Sequence, residues 1–197
     1  MTPAQDVRAP GRLGRLWRAL WRPSARWSVA MLLVAGGIGV AAAVSGYSGF
    51  MAYTNRLEFC TSCHSMATPF EEYRKSAHYT NPSGVRVICA DCHVPREFVP
   101  KMIRKVEAAK EVWHHFAGKL DTKEQFEEHR KELAERVWAR MTASDSRECR
   151  NCHSYPAMAF HKQSPRGREK MEEAMQKGTT CIECHKGVAH ALPRRDD

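Results

Sequence analysis

A chain of 197 residues with 43% hydrophobic content allows one or two domains, and one uninterrupted apolar run takes much of that content, so the globular part is small. The formal charge of +9 is unevenly spread: residues 1–27 carry six Arg against one Asp, which leaves only +4 for everything after them. So modest an excess gives no support to nucleic-acid binding, and no nucleic-acid partner is expected.

From Trp27 to Asn55 no residue is charged, and the stretch WSVAMLLVAGGIGVAAAVSGYSGFMAYTN is long enough to cross a bilayer core of roughly 30 Å. A cleaved secretory signal shares the basic flank and the small residues. This run, however, is longer than a usual signal core and continues straight into the first cysteine motif. The sequence therefore predicts an uncleaved transmembrane anchor over 27–55 behind a cytoplasmic basic arm over 1–26. Six Arg precede the run and Arg56 alone follows closely, which puts the N-terminus in the cytoplasm and residues 56–197 on the outer side of the membrane. Trp17, Trp21 and Trp27 at one end and Tyr47 and Tyr53 at the other suit the two interfaces.

The outer part writes Cys-x-x-Cys-His four times: Cys60, Cys63, His64; Cys89, Cys92, His93; Cys149, Cys152, His153; and Cys181, Cys184, His185. These use all eight cysteines. CTSCHSM at Cys60 recurs loosely as CRNCHSY at Cys149, and each is followed by a second motif after 29 and 32 residues respectively, which reads as two similar modules over about 56–100 and 143–197. A helical linker over 101–142 joins them. After Pro100, the residues Met102, Ile103, Val106, Ala109, Trp113 and Phe116 recur at helical spacing and Gly118 marks the end. A second helix begins near Asp121 or Thr122, with Glu124 or Gln125 as capping partner, and runs through Phe126, Leu133 and Val137 to about Met141. No stretch alternates as a strand. The expected fold class is mainly α: one N-terminal transmembrane helix and a small helix-and-loop head built of two modules.

Two thiols three residues apart can form thioethers to both vinyl groups of a haem, while the adjacent imidazole reaches the iron from one face. Paired Cys-x-x-Cys units also bind zinc, but tetrahedral coordination by four thiolates demands no histidine after each pair. The same regularity disfavours a disulfide scaffold. Four covalently bound haems c are thus expected, which makes the head a tetrahaem cytochrome of two dihaem modules. Haem would replace much of its missing apolar core.

Four irons with six ligands each need eight axial groups, and the motif histidines supply four. His78 and His190 sit close to haem-bearing backbone and are the preferred distal ligands. His114, His115 and His129 fall on the linker helices, where a solvated or packing role is the plainer reading, and His161 could serve the second module. On spacing alone Met66, two residues after His64, is either a haem ligand or a packing residue.

The N-terminal anchor with CTSCHSM, HYTNPSGVRVICADCHVP, KMIRKVEAAKEV, ECRNCH and CIECHKGVAH together resembles the NapC/NirT family of membrane tetrahaem cytochromes over about residues 27–193, its NapC branch most closely. The resemblance implies a membrane quinol dehydrogenase that passes electrons to a periplasmic reductase. In the NapC branch the acceptor is the periplasmic nitrate reductase complex with its dihaem subunit. A NirT-like supply of nitrite reductase is the alternative. The resemblance further implies Met66 in place of His64 on the first iron, His190 opposite His93 on the second and His78 opposite His153 on the third, each of these two pairs crossing between modules. The fourth distal position stays open. For the quinol, the family's lysine and acidic residue match Lys105 and Glu111, with Lys101 and Lys110 as substitutes for the lysine and the more distant Asp121 as a second acidic match. On periodicity alone these residues read as a solvated helix face. Two rival classes are a haem-based terminal reductase, which would need an open iron, and a tethered electron-storage cytochrome without quinol activity.

Overall fold

The computed structural model describes residues 11–20, 26–118, 120 and 122–194. Two compact units, 1–50 and 51–197, make up the chain. In the first, helix α1 (Arg12–Leu20) precedes α2 (Val29–Thr54), which ends in the second unit. Trp21 and the first ten residues of the basic arm lie outside the described residues. The 26 residues of α2 span about 39 Å at the α-helical rise, more than a bilayer core. No part of its apolar window is buried in protein, whereas the core helix of a soluble protein would be covered. By length and composition it is the one helix, among the described residues, able to cross a membrane.

The second unit follows with α3 (Leu57–Cys60), α4 (Ala67–Tyr73), α5 (Cys89–His93), α6 (Phe98–Phe116), α7 (Lys123–Ala143), α8 (Arg147–Arg150), α9 (Pro165–Lys177) and α10 (Cys181–Cys184). The described residues contain no strand, so the fold is mainly α. Helix α6 starts two residues before Pro100 rather than after it. Proline is tolerated there because its missing N–H would be one of the first-turn donors without an intrahelical partner. The helix ends where Gly118 takes φ +69°, a conformation glycine adopts without penalty. Helix α7 opens with a reciprocal cap: Thr122 Oγ1 accepts the Gln125 N–H at 3.2 Å, and Gln125 Oε1 accepts the Thr122 N–H at 3.1 Å. Asp121 itself lies outside the described residues.

Helices α4 and α10 pack on α7, α3 packs on α5, and α5 packs on α8. Only seven apolar side chains among the described residues are buried, Met51, Pro69, Tyr73, Ala90, Pro95, Met141 and Ile182. So few cannot by themselves cover the apolar surface of α6, where Val99, Ile103, Val106, Trp113 and Phe116 are all exposed.

Candidate functional site

Each Cys-x-x-Cys-His motif sits on or against a one-turn helix, and in the second and fourth both cysteines lie on it, three residues apart and so on one side. In the second motif of each module an acidic residue stabilises that turn. Asp91 Oδ2 accepts the Ile88 N–H at 2.9 Å, and Glu183 Oε2 accepts the Thr180 N–H at 2.6 Å and the Thr180 hydroxyl at 2.8 Å. CADCH and CIECH thus share one capping device, since an acid at the third helical position reaches back to the backbone donors that the helix start leaves open.

The four motifs follow one another in space as in sequence. Cys60 stands beside Cys89, where α3 packs on α5. Cys92 stands near Cys149 and Cys152, and Cys149 near Cys181. Burial pushes the Cys92 thiol up to about 11. Ser146, fully buried, ties the last two motifs together by accepting the Ile182 N–H at 3.1 Å. It does so from a left-handed conformation, φ +49°, beside Asp145 at φ +52°, unusual for non-glycine residues.

Two pairs of histidines meet across the modules. The rings of His78 and His153 have centroids 6.2 Å apart at 84°, and those of His93 and His190 are 6.2 Å apart at 40°. Two imidazoles bound from opposite sides to one metal, each through a bond of about 2 Å, place their centroids about 6 Å apart. The donor set therefore fits bis-histidine haem. Burial lowers the pKa of His78 and His190 and takes His93 down to about 4, which favours the neutral ring that ligates metals. Among the described residues no three His, Cys, Asp or Glu side chains converge as a cluster.

His190 reaches His93 because the tail turns back at Gly187. That residue has φ +82°, which favours glycine, and a Cβ there would press on the Leu192 side chain at 3.1 Å. On the other side, the segment carrying His78 is fastened at Val87, whose N–H donates to the His78 carbonyl at 3.0 Å and whose carbonyl accepts the Tyr73 hydroxyl.

His64 and His185 are exposed, and among the described residues no second imidazole faces either. Met66 is half-buried at the end of a short turn, its N–H donating to the Cys63 carbonyl at 3.0 Å. His114 and His161 are exposed, His115 stacks loosely beside Phe116, and His129 Nδ1 is 2.8 Å from the Gln125 carbonyl of its own helix.

Lys105 and Glu111 do not converge. Six residues apart, they lie about 120° apart around α6. The Lys105 ammonium grips the end of α2 within the second unit, donating to Thr54 Oγ1 at 2.9 Å, Asn55 Oδ1 at 2.6 Å and the Thr54 carbonyl at 3.2 Å. Burial lowers its pKa. Glu111 is held instead by Arg104 Nη2 at 2.8 Å and is half-exposed. Lys101 is half-buried near the start of α6, and Lys110 is exposed.

The NapC/NirT cytochrome c family, N-terminal region, matches residues 22–195. A tetrahaem cytochrome-c type protein of Allochromatium vinosum is 57% identical over 144 residues, which cover 73% of this chain and 78% of that one. The denitrification system component NirT of Stutzerimonas stutzeri is 48% identical over 184 residues, covering 91% and 90%. The cytochrome c-type protein NapC of Escherichia coli K12 is 46% identical over 187 residues, covering 94% and 93%.

Proposed function

The chain belongs to the NapC/NirT cytochrome c family, and from that premise we propose that it is a membrane quinol dehydrogenase whose four c-type haems carry electrons to a periplasmic reductase. Nitrate reductase, with its dihaem subunit, is the leading acceptor. Nitrite reductase is the second, and the similarity to NirT keeps it in view. The observation that carries the reading is the row of four attachment motifs, adjacent in space in chain order.

Haem iron cycling between ferric and ferrous supplies the one-electron chemistry. The eight cysteines would hold four such groups by thioether bonds. Met66 or His64 would ligate the first iron, His93 with His190 the second, His153 with His78 the third, and His185 the fourth. Crossing ligands would lock the two modules together.

A quinol gives up two electrons and two protons on becoming quinone. Lys105 would hold its oxygen beside the first motif, exchanging one of its three present acceptors for the substrate. Glu111, on another side of α6 and held by Arg104, would not meet the same quinol oxygen and would instead pass both protons on to the outer side. In this reading residues 1–26 form a cytoplasmic arm, 27–55 cross the inner membrane and 56–197 form the periplasmic head.

The test is to mix the oxidised, haem-loaded full-length protein in bilayers with a quinol without oxygen, then add nitrate reductase and nitrate. Rapid reduction followed by reoxidation is expected. Four intact haems that accept electrons from dithionite but none from quinol would overturn the dehydrogenase reading and leave a relay fed by another protein.

A further inference from the structure

Glu72, on α4, lies at the centre of a cluster that joins α4, α7 and the C-terminal tail. Its Oε1 accepts from Arg130 Nη2 at 2.6 Å, and its Oε2 accepts from Arg130 Nη1 at 3.1 Å and from the backbone N–H of Ala191 at 3.0 Å. Arg130, buried on α7, is itself held by Glu127 through Nε at 2.8 Å and Nη2 at 2.7 Å. It also donates to the Ala191 carbonyl at 3.1 Å. Both polar groups of Ala191 are therefore captured, and Ala191 is the neighbour of His190.

The same Glu72 Oε2 stands 3.9 Å from His190 Nδ1. That nitrogen is buried, and the backbone carbonyl of Pro69 is a second acceptor close to it. A ligating imidazole ordinarily presents its second N–H to a carboxylate or carbonyl, which fixes the ring and raises its basicity. Here α4 offers one acceptor of each kind. The carboxylate is the one immobilised by a two-point arginine fork, an arrangement with both strength and directional specificity.

We propose that Glu72, locked by Arg130, is a positioning residue for His190: it clamps the tail peptide at Ala191 and presents its negative charge to the Nδ1 edge of the ring, lowering the reduction potential of the haem bound there. This rests on the reading that His93 and His190 share one iron. A fixed anion beside an axial imidazole favours the ferric state and strengthens electron donation from the ring, and both effects make that haem harder to reduce. One haem in the row is thus set apart from its neighbours by a residue with no place in any haem motif.

The experiment is a potentiometric titration of the haem-loaded full-length protein, with low-spin signals followed in parallel, for wild type, Glu72→Gln, Glu72→Asp and His190→Met. Glu72→Gln keeps the shape and removes the charge, and it should shift one haem of four upward while the other three stay in place. Glu72→Asp should move the same haem by less and serves if the glutamine variant fails to accumulate. A Glu72→Gln protein with all four potentials unchanged, or with all four shifted together, would overturn the proposal. If His190→Met leaves every low-spin signal intact, the underlying pairing of His190 with His93 is what fails.

Discussion

The two long helices of the second unit use opposite means. Helix α6 has the pattern of an amphipathic element, yet its apolar stripe stays open, with Trp113 at 72% and Phe116 at 78% exposure. Its anchoring bonds are polar, Lys105 on the end of α2 and Glu107 to Arg140 of α7 at 3.4 Å. Helix α7 reads as a charged, solvated rod, yet it carries α4 and α10 and buries Arg130 and Met141. In a head with so few buried apolar side chains, fixed polar clamps hold the segments that bear the paired histidines. Apolar faces are left for partners of another kind.

Four substitutions probe that contrast. Arg130→Leu should be the most damaging, because it leaves Glu72 and Glu127 facing each other without their shared cation; a loss of about 3 kcal/mol is expected in denaturant unfolding. A Leu variant as stable as wild type would show that the α7 clamp is ornamental. Ser146→Ala, at the turn that closes α7, strips the Ile182 N–H of its acceptor in a fully buried place and should cost about 2 kcal/mol, read in the same assay. Lys105→Ala tests α6 through function: all four haems should stay attached, while quinol-driven reduction slows roughly tenfold or more. Unchanged turnover would remove Lys105 from the quinol site. Trp113→Ala, on the open stripe, should change stability by less than about 0.5 kcal/mol; a larger loss in detergent would mean that the stripe is covered by the protein's own parts.

Much of this was legible in the sequence, for identifiable reasons. Haem attachment fixes the spacing of two thiols and an imidazole, so the eight cysteines and four motif histidines announce themselves. The cap at Thr122 and the stop at Gly118 are equally local and were readable. Arg130 was not, because its partners Glu72 and Ala191 lie 58 and 61 residues away, and a basic residue amid alternating charges reads as solvated. Ser146 gave no signal either, since serine does not mark a left-handed turn. The periodicity of α6 was visible, but periodicity says nothing of what lies against the face. The expected quinol pair came from the family resemblance and not from periodicity, which reads the same residues as a solvated helix face, and Lys105 and Glu111 lie about 120° apart around α6.

The central claim is that the two modules exchange ligands, His78 to His153 and His190 to His93. Electron paramagnetic resonance of the ferric, haem-loaded protein tests it most directly, because the angle between two axial imidazoles governs the anisotropy of a low-spin signal. The account predicts two bis-histidine signals, a strongly anisotropic one from the rings at 84° and a less anisotropic one from those at 40°, the first lost in His78→Ala and the second in His190→Ala. Both signals persisting in both variants would contradict it.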